Sequence, residues 1–520
     1  ALYKPPSELF DPLAIERSNQ TNEAEPFPPA KAIGNKLIVK NSHFNGNVAG
    51  YGGGAVLVGH YGHQGVELSD SSFKNNVAGY QWQAEDQGEL VDIQHSNGAA
   101  GLELVVKSGE ALVTNSVFEY NITKELRSPP RNRTVQPTEG GALRITSEQP
   151  VTVSNNRFAY NEVVCPDDMF FGRCEWYASG GGALIRGIAT FTENEVVHNS
   201  APISGGVHII SAGTPPGSKL SVTRNRIQYN EGITGGGITI IAPHQDTEIS
   251  GNYIADNTSS QAQVDYGSGL TARTLAGVIS VVHNTIRNNV TSYLPETVDT
   301  SGEDRSAPSG GAWITAEYSE RRNMQRFSYE DNHPNYDASV NGDFPDYELP
   351  VSSIEILNNN FWNNRIVDIT PSDPAVAGVQ EVGVLMDLVI DNLVKDEVGT
   401  DQLGSPTGVG TNNFSENSAF RLVCPDDLAF TCEVIAENNI SVDPGFQNNE
   451  DGLLLKTSPL IGAQAPTDNL LTDFYGIIVS AIGAFWFSSE ADLPLAVPTL
   501  GGLGLILLGL IMLLLSRREV

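Results

Sequence analysis

All four cysteines of this 520-residue chain sit in two near-identical phrases, VCPDDMFFGRCEW (164–176) and VCPDDLAFTCEV (423–434). In an exported protein the pairs Cys165/Cys174 and Cys424/Cys432 are expected to close two short disulfide loops. Each would contribute less than the ~3 kcal/mol of a roughly 15-residue loop and would mainly pin a local hairpin. A four-cysteine Zn²⁺ site joining the two loops is the alternative, disfavoured by export. Asp167, Asp168, Asp426 and Asp427 follow a proline in each phrase and could present carboxylates to Ca²⁺. Two adjacent acids supply too few of the about six to eight oxygens Ca²⁺ takes, so a polar turn is the plainer reading.

Two other clusters could bind a ligand. GHYGHQG (59–65) carries His60 and His63 at a metal-compatible spacing, but no acid or cysteine is fixed nearby, and a glycine-rich loop accounts for it. The segment 328–350 gathers Asp331, Asp337, Asp343, Asp346 and Glu348 among Tyr, Phe and Pro, as a carbohydrate or Ca²⁺ site does. A solvated loop explains the same composition. Facing carboxylates could cleave glycosidic bonds, yet linear spacing cannot show that two of them face each other. No catalytic residue is nominated, and a non-catalytic role is preferred to a polysaccharide lyase or glycoside hydrolase.

Charge narrows the partners. Sixty-two acidic residues against 30 basic ones give a formal charge of −32, which repels nucleic acid and anionic headgroups alike. The chain opens at Ala1 with neither Met nor an apolar leader, as expected of an exported protein after loss of its signal peptide.

The elements that must position these residues repeat from end to end. An apolar residue is followed at +3 by Asn ten times: Phe44, Phe73, Phe118, Phe158, Val196, Ile227, Ile254, Ile286, Phe361 and Phe414 pair with Asn47, Asn76, Asn121, Asn161, Asn199, Asn230, Asn257, Asn289, Asn364 and Asn417. Strands such as KLIVK (36–40), QPVTVS (149–154) and SIEIL (353–357) precede the copies. Glycine runs opening alternating strands, such as GGGAVLV (52–58) and GGGITII (235–241), lie between them. Each cassette therefore reads as one turn of an all-β, right-handed parallel β-helix. Phe, Ile and Val point inward, and a column of Asn takes the left-handed bend while bonding the turns above and below. The apolar markers are 29, 45, 40, 38, 31, 27, 32, 75 and 53 residues apart, so loops must leave the coil, the longest near 291–309, 317–350 and 366–411.

The GGA-plus-apolar runs with repeated F-x-x-N resemble the polymorphic outer-membrane proteins, surface β-helices of the pectin-lyase-like superfamily, over roughly 33–490. The resemblance implies a surface protein, in some members an adhesin. Lyases of that fold use Ca²⁺-binding acids with a basic residue, and its hydrolases use clustered Asp; no phrase here matches either. Those proteins end in an outer-membrane barrel, and no such barrel is expected of this chain. Residues 441–486 instead resemble the terminal module of bacterial surface β-helices with interchangeable anchors, through Asp443, Pro444, Phe446, Ser458, Pro459, Ile461, Ala463 and Ile482–Phe485.

Leu493 to Leu515 carry no charge and Arg517 and Arg518 follow, which predicts one transmembrane helix with a cytoplasmic C-terminus and the coil outside. Val497, Pro498, Thr499 and Leu500 before that segment resemble the I-P-T-L class of bacterial sorting signals, in which the tail can be cut. The organisation expected is an N-terminal extension or cap (1–32), the coil (33–440) with insertions near 291–350 and 366–411, a cap module (441–490), the membrane helix (493–516) and a basic tail (517–520). The partners expected are the membrane, proteins or surface glycans, in the periplasm or on the surface of a bacterium.

Overall fold

The computed structural model describes residues 36–49, 53–60, 64–79, 98–124, 140–164, 178–211, 218–242, 245–260, 267–274, 277–293, 309–316 and 353–368, with shorter pieces between 82 and 93 and between 384 and 460. Within them the chain coils through four sheets and returns to the first. One turn shows the rule. Val151–Ser154 lies in the first sheet, Arg157–Ala159 in the second, Glu162–Val164 in the third and Ala183–Arg186 in the fourth, after which Ala189–Thr192 re-enters the first. The sheets hold 11, 9, 10 and 10 strands, and neighbouring turns pair in parallel. Two pairings are antiparallel: Val384–Leu385 on Arg365–Ile366, and a hairpin of Trp82–Asp86 with Glu89–Ile93. The described residues form an all-β, parallel β-helix with no helix among them.

Two tight corners make the repeat. Between the second and third sheets the left-handed φ falls on the residue before the repeated Asn, at Asn75, Tyr120, Tyr160, His198, Tyr229, Asp256, Asn288 and Asn363. This corrects the expectation that the +3 Asn itself takes the bend. The bend turns the next residue inward, and the +3 Asn is buried from Asn76 to Asn364.

There its amide is fully used. Asn161 Nδ2 donates to Asn199 Oδ1 at 2.9 Å and to the Phe118 carbonyl at 2.9 Å, while its Oδ1 accepts from Asn121 N and Nδ2 at 3.0 and 2.9 Å. The same set joins Asn199, Asn230, Asn257, Asn289 and Asn364. A second ladder stands at the corner between the first and second sheets. It runs through Ser42, Ser71 and Ser116 and then through Asn156, Asn194, Asn225, Asn252, Asn284, Asn359, Asn412 and Asn439.

The marker side chains stack in the core. Phe44, Phe73, Phe118 and Phe158 lie ring on ring with centroids 4.8, 4.8 and 4.9 Å apart, the spacing of the turns themselves. Where the marker shrinks to Val196, the adjoining inward position of the first sheet grows from Val153 to Phe191, so core volume is kept. The glycine run serves the Asn ladder: a Cβ on Gly206 would meet the Asn230 amide at 3.2 Å, and one on Gly237 would meet that of Asn257 at 3.1 Å.

Every long connection falls between the third and fourth sheets or between the fourth and first. The expected insertion over 366–411 contains coil: Arg365–Asp368, Leu388–Asp391 and Thr407–Gly410 pair with neighbouring turns. Val290–Tyr293 likewise belongs to the third sheet.

Candidate functional site

None of the residues nominated from the sequence is brought together by the described coil. Cys165, Cys174, Cys424 and Cys432, the acids Asp167, Asp168, Asp426 and Asp427, and the cluster Asp331, Asp337, Asp343, Asp346 and Glu348 lie outside the described residues. So do His63, Pro498, Thr499, Leu500, Arg517, Arg518 and the whole of 493–516. His60 ends a strand of the fourth sheet. Among the described residues, no three His, Cys, Asp or Glu side chains converge as metal ligands, and no helix is long and apolar enough to cross a membrane. What the coil does present is three outward surfaces, built by strand alternation opposite the buried core.

The first follows the corner between the second and third sheets. Tyr120, Tyr160, His198 and Tyr229 stack with centroids 5.0, 4.8 and 5.0 Å apart and planes within 11°. Because the rings cover each other's faces, solvent meets their edges, and Tyr120 and Tyr160 remain 50% and 43% exposed. Partial burial, then the charges of Arg157 and Arg226, hold the His198 imidazole below its ordinary range, so it sits neutral among the phenols.

Beside this column runs a ladder of alternating charge. Lys74 bonds Glu119 at 2.8 Å, Arg157 bridges Glu119 at 3.1 Å and also Glu195, and Arg226 reaches Glu195 at 3.5 Å. Burial would raise the Glu119 carboxyl, but the hydrogen bonds from Lys74 and Arg157 outweigh it and hold the group low. At the first turn Lys36 and Lys40 flank Glu67 and lower it to about 2. Every acid in these sets lies between two cations, so each carboxylate is ion-paired on both sides.

The second surface is the outward side of the fourth sheet, and over its middle turns one of its two outward columns is closed. Leu184, His208, Thr239, Thr271 and Trp313 are all buried although they alternate with core residues. Burial, then the charge of Arg186, pushes His208 down to about 3, so it is a neutral imidazole throughout the physiological range. The Arg273 guanidinium lies over the Trp313 ring, 5.1 Å from its centre.

The third surface, the outward side of the first sheet, is open and carries hydroxyls. Register aligns Thr152 with Thr190 and Ser221 in one column, and Ser154 with Thr192 and Thr223 in the next. All six side chains are partly or fully exposed.

These surfaces were readable only in part. The Y-N pairs at 120–121, 160–161 and 229–230 and the H-N pair at 198–199 mark the aromatic column, and VTVS, ATFT and LSVT mark the hydroxyl columns. Both signals become meaningful only once the turn register is known. No family model, curated protein or solved structure matches the chain.

Proposed function

We propose that this chain is a membrane-anchored, extracytoplasmic scaffold, an adhesin or the accessory subunit of a surface or membrane assembly, built on a right-handed coil of the pectin-lyase-like kind. The observation that supports it best is the turn-by-turn pairing of charge from Lys74 to Arg226, which turns ionisable groups into struts of a regular outer face. Right-handedness is supported by the strong bias of parallel strand crossovers. The uncharged stretch 493–515 and the arginines after it support the anchor.

The test is purification of the full chain from native membranes. A scaffold is expected to stay in the membrane fraction after high-salt washing, to co-migrate with a partner in fixed ratio, and to release no reducing ends from polysaccharides. Truncation after Asp492 is expected to free it into the soluble fraction. A lone monomer that cleaves a glycan would overturn the reading in favour of a tethered lyase or hydrolase.

A further inference from the structure

We infer that the open side of the first sheet is a binding face for a neutral, extended polysaccharide lying along the coil axis; the inference rests on the scaffold reading and names its partner. The face is a grid. Thr152/Ser154, Thr190/Thr192 and Ser221/Thr223 repeat turn after turn in exact register, with turns about 4.8 Å apart and alternate residues of one strand about 6.6 Å apart. The step of the grid along the axis is close to the advance of one sugar in an extended β-1,4-linked chain.

The hydroxyls are available. Among the described residues Thr152, Ser154, Thr190 and Ser221 commit no side-chain hydrogen bond to the protein, whereas Thr192 and Thr223 bond each other at 2.9 Å. A hydroxyl both donates and accepts, so a column of them matches a hydroxyl-rich ligand in either chain direction. The threonine methyls between them offer apolar spots for the C–H faces of sugar rings. The fourth sheet carries no comparable open grid, since over the same turns one outward column holds the buried Leu184 and His208 and the other holds Thr146, Arg186 and Ile210.

Charge selects a neutral polymer. Between Leu112/Thr114 and Ser221/Thr223 the two columns contain no ionisable side chain. The nearest charges cancel in pairs, Arg224 with Glu193 at 2.7 Å and Lys219 with Glu248 at 2.5 Å. A polyanion would meet the field of a chain of net charge −32, and among the described residues the two columns between Thr114 and Ser221 hold no cation to offset it.

Co-sedimentation of the full chain in detergent with microcrystalline cellulose and with chitin, and gel retardation in polygalacturonate, tests this. Binding to at least one neutral polymer and none to polygalacturonate is expected. Thr190→Asp and the pair Thr152→Asp/Ser221→Asp are expected to weaken it about tenfold or more. Thr190→Ser should retain it, as should Thr258→Asp on the exposed side of the third sheet, with unchanged circular dichroism for all variants.

Failure to bind any neutral polymer, equal binding to polygalacturonate, or indifference to the Asp variants would each overturn the proposal and leave the scaffold reading standing. Loss of self-association in the Asp variants with glucan binding intact would assign the face to a second copy and overturn it too. Binding followed by release of reducing ends would instead overturn the scaffold reading.

Discussion

Two columns of residues, adjacent in sequence, climb the same corner of the coil under opposite rules. Inside, nine successive turns from Asn47 to Asn364 carry asparagine at +3; outside, one residue earlier, the same turns carry Gly46, Asn75, Tyr120, Tyr160, His198, Tyr229, Asp256, Asn288 and Asn363. The inner site needs a side chain with a donor and an acceptor at fixed geometry, away from water, and only the amide of Asn fits. The outer site needs a left-handed φ. Tyrosine and histidine pay for that conformation with ring stacking, while Asn and Gly adopt it with little strain.

The largest effect expected follows directly. Asn161→Ala strands the Asn121 donors and the Phe118 carbonyl in a site with no solvent access. At about 1–3 kcal/mol for each stranded buried group, the loss should reach at least ~3 kcal/mol. The neighbouring Tyr160→Asn loses stacking worth ~0.5–1.5 kcal/mol and relieves φ 56°, so its net effect should stay within about 1 kcal/mol. Urea unfolding of the two variants, followed by circular dichroism, measures the contrast. Equal losses would break the distinction between the columns.

A second contrast lies within the core. Val196→Phe should cost about 1–3 kcal/mol by overpacking against Phe158 and Phe191. Combined with Phe191→Val, it restores the arrangement of the turn before, and the double variant should recover about 1 kcal/mol or more relative to the sum of the single changes. Strict additivity in the same unfolding assay would show that the two positions do not share a volume.

The third contrast sets the closed column of the fourth sheet against the open first sheet. His208 stays neutral in the fold down to about pH 3, whereas the unfolded chain protonates it near its ordinary value of 6.5. The folded pKa is the lower one, so the unfolded state binds more protons below pH 6.5 and stability falls as pH drops from there towards 3. Replacement by leucine should flatten that part of the pH–stability curve. His198, at the edge of the aromatic column, is shifted in the same direction, so His198→Tyr should flatten the curve less. If His198→Tyr has the larger effect, the closed state of that column of the fourth sheet is in question.

How much of this was legible depends on period. The coil, its inward markers and one Asn ladder follow from spacing alone, because a residue recurring once per turn announces itself however the loops vary. The other ladder was harder, since it begins as Ser42, Ser71 and Ser116 and becomes Asn only at Asn156. A hydroxyl and an amide meet the same geometric need with different letters. The outer surfaces were least legible. Thr190 and Ser221 become one column only when the register is known, and the pairing of Glu119 with Arg157 spans 38 residues. The cysteine phrases and the acidic cluster stood out by composition, which says which residues are unusual but not which ones meet.

The smallest effect expected concerns the charge ladder. Lys74, Glu119, Arg157, Glu195 and Arg226 are side chains between 17% and 42% exposed, and solvent screens such pairs to about 0–1 kcal/mol each. Glu119→Gln should therefore lower stability by less than about 1 kcal/mol in low salt, with the difference fading as ionic strength rises. Its acid dependence has the opposite origin to that of the histidines. Glu119 is held below its ordinary value by Lys74 and Arg157, so its contribution is present above about pH 4.5 and is lost as pH falls through the lower folded value. Urea midpoints of the wild type and Glu119→Gln at low and high salt would separate these cases. A salt-independent loss of several kcal/mol would mean that the outer ladder, like the inner one, holds the turns together, and the contrast between inside and outside would no longer describe this corner of the coil.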